Sequence, residues 1–347
     1  VKIAEREVGL GSKPYLIAEM SGNHKQSLQR ALAIVDAAAM AGADAIKLQT
    51  FTADTMTLDL RTPGFVIEDA ASPWAGRQLH ELYKEAQTPW EWHAPIMARA
   101  ASHGMHCFSS PFDETAVDFL QSLNVPAYKI ASFECTDLPL IRKVANAGKP
   151  IIISTGMASA AEIDEAVRTA RGAGCKDVIL LKCTSTYPAT PEDTNLRTIA
   201  NMRETFGCEV GLSDHTMGCG VAVASVALGA VMIEKHFTLL RADGGVDASF
   251  SLEPEEFALL RLETERAWLG LGRITYGGTA AEERSRAFRR SIYVSRETRK
   301  GEPLTLDNTR IVRPGFGLPP KFHEQVLGRH IRRDAAPGTP VTWDLLE

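Results

Sequence analysis

EVGLSDHTMGCGVAVASVALGAVMIEKHF, residues 209–237, is the stretch that decides the fold. Residues 209–213 read as a strand, 218–228 as a helix and 231–236 as a second strand. The apolar run at 221–233 is too short for a membrane span of ~20 residues. Its Ala, Gly and Ser content suits a buried helix running into a strand. A helix between two strands makes them parallel neighbours. The same unit recurs upstream. Strands are expected at 15–20, 43–50, 105–109, 127–131, 150–154 and 178–183. Helices are expected at 28–41, 91–102, 114–122, 138–147, 160–171, 194–206 and 254–270, with a long connection before the second.

Eight strand–helix units within the first 272 residues fit a (β/α)8 TIM barrel better than an open doubly wound sheet. The turn after the first strand, Met20–Ser21–Gly22–Asn23, has one glycine and lacks a dinucleotide-binding fingerprint. The pattern changes after residue 272. A linker is expected at 273–286 and a small strand-rich module at 287–347, with pieces at 291–294, 310–312 and 340–343 between turn signals. A module this small is expected to dock on another surface.

Composition agrees with an ordinary globular chain: 347 residues, 44% hydrophobic and 23% charged, with a net charge of −5. A basic nucleic-acid binder is excluded on charge. The charge is uneven, however. Residues 284–347 carry 13 Lys/Arg against 7 Asp/Glu, while the remainder carries 25 against 36. The basic end reads either as a solvated face or as a lid presenting cations to an anionic substrate. The six cysteines form no C-x-x-C pair, and no signal peptide or membrane segment is visible. The expectation is a cytoplasmic protein.

In a TIM barrel, chemistry gathers at the C-terminal ends of the strands. Those ends carry Glu19; Lys47 and Gln49; Ser109 and Ser110; Lys129, Ser132 and Glu134; Ser154 and Thr155; Lys182, Thr184 and Ser185; Ser213, Asp214 and His215; Glu234, Lys235 and His236. Strand alternation puts Lys47 with Gln49, Ser213 with His215, and Glu234 with His236. His215 and His236 can converge, either as a divalent-metal site or as structural histidines. Lys47 and Lys129 facing one lumen need an anion between them or acids such as Glu19 or Glu134 beside them. Hydroxyls of Ser109, Ser110, Ser132 and Ser213 would complete a phosphate or carboxylate cradle. Metal plus cradle suggests addition to a carbonyl by a phosphorylated substrate.

Eight segments also carry a family resemblance: AEMSGNHKQSL (18–28), IKLQTF (46–51), FSSPFD (108–113), YKIASFE (128–134), ISTGM (153–157), CTSTYPA (183–189), GLSDHT (211–216) and EKHFTL (234–239). In order along the chain, they resemble the sialic acid synthase family. The segments RRSIYV (289–294) and RPGFGL (313–318) are similar to the antifreeze-like (SAF) domain that ends those enzymes. Within the family, the EMSGNH start, TMTLD (55–59) and RADGGVDASFSLEP (241–254) are most similar to the pseudaminic acid synthases.

The resemblance implies a transferase that condenses phosphoenolpyruvate with a diacetamido trideoxy altrose in open-chain form, giving pseudaminic acid and phosphate by C–O cleavage. N-acetylneuraminate and legionaminic acid synthases are the alternatives within the family; a sugar-binding protein without catalysis is the alternative outside it. It further implies His215 and His236 as ligands of Mn²⁺ or Mg²⁺. Lys47, Ser110, Lys129, Ser132, Ser185 and Ser213 match phosphoenolpyruvate-binding positions, and Glu134, Tyr187, Asp247 and Arg313 match sugar-binding ones. Glu19, Glu134 and Glu234 are the candidate catalytic carboxylates. Arg313 would arrive from a second copy in a domain-swapped homodimer. Ser110 stands where many relatives have threonine, and Ser185 where sialic acid synthases have asparagine; Lys25, where those enzymes have glutamate, is left outside the site.

Overall fold

Eight parallel strands close into a barrel in the computed structural model, which describes residues 1–70 and 72–347. The strands are β1 (Tyr15–Glu19), β2 (Ala45–Thr50), β3 (His106–Pro111), β4 (Tyr128–Ile130), β5 (Ile151–Ser154), β6 (Val178–Cys183), β7 (Glu209–Ser213) and β8 (Met232–His236). Each pairs with the next, and β8 closes on β1 with Met232 opposite Tyr15 and His236 opposite Glu19. Sequences such as IIIS in β5 and VILLKC in β6 are nearly continuous apolar runs, as strands buried on both faces require.

The helices of the outer ring are α1 (Leu28–Met40), α2 (His93–Ser102), α3 (Glu114–Ser122), α4 (Leu138–Asn146), α5 (Ala160–Gly172), α6 (Thr198–Phe206), α7 (Gly220–Ala227) and α8 (Pro254–Leu271). Their starts are set locally. Asp113 and Asp137 cap α3 and α4, Ser159 and Glu162 form a capping box on α5, and Pro254 opens α8. The buried faces, such as Ala31, Ile34, Val35 and Ala38 of α1, pack on the outer side of the sheet. A barrel of this kind fills its wall with apolar side chains and leaves the strand ends free to carry polar ones.

Two differences from the sequence expectation have local causes. The sixth helix begins at Thr198 rather than 194, because Pro191–Thr194 forms a 3-10 turn and Asn195 then adopts a left-handed conformation. The long connection after β2 holds two short helices, Ala53–Met56 and Leu79–Ala86.

The chain divides into two compact units, Val1–Gly272 and Arg273–Glu347. The second has its own core of Ile292, Val294, Leu304, Leu318, Val326, Ile331, Val341 and Leu345. Its β9 (Ser291–Val294) and β10 (Thr309–Val312) pair antiparallel. The piece expected as a third strand at 340–343 makes only an isolated bridge, Tyr293 with Pro340, flanked by the Val341 N–H on Ile292 O, because the 3-10 turn Trp343–Leu345 follows at once. No helix among the described residues is long and apolar enough to cross a membrane.

Candidate active site

The upper lumen of the barrel is a buried charge network. Lys47, Lys129, Glu19 and Glu234 are each at most 5% exposed. Lys47 Nζ lies 2.6 Å from Glu19 Oε2 and donates to Ser110 Oγ at 3.3 Å. Lys129 Nζ donates to Glu234 Oε1 at 3.2 Å, and Ser213 Oγ donates to the same oxygen at 3.0 Å. Glu234 Oε2 is 3.9 Å from Lys47 and accepts no hydrogen bond. Burial opposes ionisation of Glu234, but Lys129 and Lys47, with the bonds from Lys129 and Ser213, outweigh it and hold the carboxyl below its ordinary value. Burial pushes Lys129 down and Glu19 up.

A chain of polar contacts leads out of this network. Gln49 Nε2 donates to Glu19 Oε1 at 2.9 Å and to Ser21 Oγ at 3.3 Å, and Ser21 donates to Asp247. Asp247 comes from the long loop after β8 and is buried, which raises its carboxyl.

On the other side two serine hydroxyls gather at Gly156. Ser132 sits in the 3-10 turn Ser132–Glu134 after β4, and its Oγ accepts the N–H of Gly156 at 3.2 Å. Ser185 follows β6, with its Oγ 3.7 Å from Cys183 Sγ. A Cβ on Gly156 would overlap Ser185 Oγ and lie 2.9 Å from Ser132 Oγ. The glycine therefore lets the two hydroxyls close against its backbone, gathering two O–H groups that an anion can accept from. Glu134, in the same turn, leaves Oε2 buried and unpartnered; burial pushes its carboxyl up to about 7.

The two imidazoles meet as expected from alternation, with ring centroids 5.4 Å apart. Tyr187 lies 4.4 Å from His215, and Phe250 lies 5.0 Å from His236. Trp74, from the long connection after β2, reaches Tyr187 at 5.8 Å and donates its indole N–H to Val246 O at 2.8 Å. Together they form an aromatic wall beside the imidazole pair.

A model of the NeuB family matches residues 34–276, and a model of the SAF domain matches residues 289–347. The chain belongs to the NeuB family. It is 43% identical over 322 residues to the pseudaminic acid synthase of Campylobacter jejuni, covering 93% of each chain. It is 40% identical over 338 residues to the pseudaminic acid synthase of Helicobacter pylori, covering 96% of this chain and 98% of that one. Among solved structures, the N-acetylneuraminic acid (sialic acid) synthetase of Leptospira borgpetersenii in complex with citrate aligns with TM-score 0.73 at 31% identity, over 82% of this chain and 94% of that one. The family, the barrel-plus-SAF architecture and the transferase class expected from the motifs are borne out.

Within this NeuB-family barrel, the strand-end residues sort by face. Lys47, Ser110, Lys129, Ser213 and Glu234 bond to one another in the lumen. Ser109, expected in the cradle, is not there: its Oγ bonds Thr50 Oγ1 at 2.6 Å, and Thr50 in turn meets His93. Alternation along β3 sends Ser110 inward and Ser109 toward the helices. Lys47 pairs with Glu19, as one reading of the sequence had it, but the partner of Lys129 is Glu234 rather than Glu134. Arg313 is exposed just beyond β10 in the C-terminal unit. Lys25 is also exposed and bonds Asp243 O, outside the network.

Sequence reasoning missed Gly156, Cys183, Trp74 and Phe250. Cys183 faces the lumen from β6. Burial works to raise its thiol, yet hydrogen bonding and charge from His215, with Ser132 and Ser185, bring it down to about 6. The ISTGM and CTSTYPA segments held the first two in plain view, but neither residue has a chemistry that spacing alone reveals. Trp74 lies in a loop without periodicity.

A divalent cation at the imidazole pair needs unprotonated ring nitrogens facing it. His215 Nδ1 donates to Thr184 O at 2.8 Å, which leaves Nε2 as the ligand nitrogen. His236 Nδ1 is buried without a partner, and burial, then His215 and the lysines, keep this imidazole neutral. No cluster of three or more His, Cys, Asp or Glu among the described residues is arranged around an ion. Two imidazoles are thus the donors offered here, and the remaining positions of a cation would fall to water and substrate oxygen.

Proposed function

We propose that this chain is a pseudaminic acid synthase, condensing phosphoenolpyruvate with open-chain 2,4-diacetamido-2,4,6-trideoxy-L-altrose to give pseudaminic acid and phosphate. The observation that carries the reading is the lumen itself: two buried lysines and two serine hydroxyls gathered at Gly156 beside a pair of buried imidazoles, in a chain whose near-full-length relatives bear that name.

In this reading the carbon–carbon bond forms between the methylene carbon of phosphoenolpyruvate and the sugar aldehyde carbon. The enol carbon becomes cationic, water adds to it, and the tetrahedral centre expels phosphate by C–O cleavage. His215 and His236 would hold Mn²⁺ or Mg²⁺, which supplies Lewis-acid polarisation of the aldehyde. Ser132 and Ser185 receive the phosphate, while Lys47 and Lys129, with Ser110 and Ser213, balance the anionic charge. Glu234 stays ionised between its lysines, so it serves as a fixed negative charge for the cationic enol carbon. Glu19 lies in the same network. Glu134 is the carboxyl whose pKa, pushed up to about 7, lets it take and return a proton near neutrality.

Asp247 and Tyr187 line the sugar side, and Arg313 is read as reaching an N-acetyl group in the site of a second copy. A stable, fully active monomer in light scattering would remove that swapped arrangement. The function itself is tested by phosphate release from phosphoenolpyruvate with Mn²⁺, comparing the diacetamido altrose with N-acetylmannosamine and reading the product mass. Turnover with the altrose sugar alone, abolished by chelation and by His236→Ala, is expected. Turnover with N-acetylmannosamine instead would move the substrate within the family. No turnover with any sugar in folded, metal-loaded protein would overturn the enzymatic reading.

A further inference from the structure

Two charges lie directly behind the imidazole pair and take no part in the chemistry above. Asp214 and Lys235 are buried, with side chains 1% exposed, and pair at 2.9 Å. Alternation turns them to the helix side of β7 and β8, while their chain neighbours Ser213, His215, Glu234 and His236 face the lumen. The Lys235 ammonium makes three bonds: to Asp214 Oδ2, to Thr216 O at 2.6 Å and to Gly218 O at 2.9 Å. Asp214 Oδ1 accepts the Thr216 N–H at 2.9 Å and its hydroxyl at 2.8 Å, and the Asp214 N–H bonds Glu234 O at 2.9 Å. The end of β7, the turn at 216–218 and β8 are thus tied into one unit with every ammonium proton used.

Such a pair is an uneconomical way to stabilise a barrel wall. Desolvation consumes most of what a buried ion pair returns, and apolar side chains of similar volume commonly do as well. What apolar packing does not supply is directional restraint on the backbone. A cation held by only two protein nitrogens depends on their separation more than a fully caged ion does, because no further protein ligand corrects an error.

We propose that the Asp214–Lys235 pair is a positioning strut that sets the separation of His215 and His236 and so the affinity for the divalent cation; this rests on the metal-dependent reading of the site. Neither residue touches substrate.

The test is the double variant Asp214→Asn/Lys235→Met, which removes both charges while keeping volume. Mn²⁺ affinity is measured by calorimetry without substrate, alongside denaturant stability and the KM for phosphoenolpyruvate at saturating metal. The expected result is a folded protein of near wild-type stability with Mn²⁺ affinity weakened about tenfold or more and an unchanged phosphoenolpyruvate KM. Wild-type Mn²⁺ affinity in the folded double variant overturns the strut. So does parallel loss of stability, Mn²⁺ and phosphoenolpyruvate affinity, which marks a merely structural pair. Lys235→Arg is the second variant: it keeps the charge but its planar fork cannot meet the same three acceptors. Weakened Mn²⁺ binding is expected there too, and an unchanged value overturns the proposal even where the double variant does not fold. A wild type that binds no Mn²⁺ refutes the metal reading itself. Mn²⁺ binding lost in His236→Ala but intact in the double variant refutes the strut alone.

Discussion

Replacing Gly156 by alanine adds one methyl group to the proposed anion cradle and nothing elsewhere. Gly156 is not among the glycines with positive φ, so the backbone accepts alanine without strain. The cost falls on the neighbours. The new Cβ overlaps Ser185 Oγ, lies 2.9 Å from Ser132 Oγ and 3.2 Å from Ser132 Cβ. Ser132 must give by a few tenths of an ångström, and Ser185 must turn its hydroxyl away from residue 156. Overpacking of this kind costs ~1–3 kcal/mol, and a hydroxyl lost from a charged ligand costs ~1.5–3 kcal/mol. With partial relief of one by the other, phosphoenolpyruvate affinity should fall by about 1.5–3 kcal/mol, roughly ten- to a hundredfold. Mn²⁺ affinity and sugar KM should hold, because His215, His236 and Asp247 lie outside the contact set. Calorimetric titration with phosphoenolpyruvate and steady-state KM values for both substrates read this directly. A folded Gly156→Ala enzyme with wild-type phosphoenolpyruvate affinity, or one whose sugar KM rises instead, would refute the cradle.

Lys129→Met leaves Glu234 buried with its closest cation gone, which should cost ~3 kcal/mol of stability; Lys129→Met/Glu234→Gln should recover most of it, and equal denaturation midpoints for the two would contradict the pairing. Glu134 gives a pH dependence with a definite sign. Its carboxyl rises from 4.5 to about 7 on folding, so the native state holds more protons between those values and stability falls as pH rises through them. The shift corresponds to at most about 3.5 kcal/mol, and Glu134→Gln should flatten the difference in urea midpoint between acid and neutral pH; an unchanged difference in the variant assigns the titration elsewhere. Arg313→Ala should raise the sugar KM well above any change in phosphoenolpyruvate KM, whereas equal losses would contradict its assignment to the sugar.

The barrel was legible because its determinants are local and repeated. Each strand is a short apolar run, each helix has a periodic face, and caps such as Asp113 and Ser159 sit where the chain turns. Alternation alone then sorted Ser213 and His215 from Asp214, and Glu234 and His236 from Lys235. It would equally have excluded Ser109, had it been applied along β3. What the sequence hid are contacts between loops distant in the chain. Trp74 meets Val246 and Tyr187 only because the connections after β2, β6 and β8 converge over one end of the barrel. Gly156 matters for how closely it lets Ser185 and Ser132 approach, and an absent side chain has no signature in composition. The identity of the partner of Lys129 was similarly out of reach: Glu134 and Glu234 both belong to the correct end, and only the three-dimensional register of β4 against the far strands selects one.

Two readings of the lysines competed at the level of sequence, an anion cradle or pairing with acids. The fold makes them complementary. Lys47 and Lys129 are neutralised by Glu19 and Glu234 along one side of the lumen, so the barrel tolerates two buried ammonium groups before any substrate arrives. The other side, around Ser132, Gly156 and Ser185, carries donors and no carboxylate bonded to them. In the proposed reaction an anionic group entering there would meet the O–H dipoles first and the lysines' positive charge behind them, with its ester oxygen and enol carbon toward the two glutamates. Such a gradient from donors to carboxylates suits a reaction that brings in a phosphate ester, builds positive charge at its enol carbon and discards the phosphate. A lumen lined with lysines alone would bind the anion and oppose the cation.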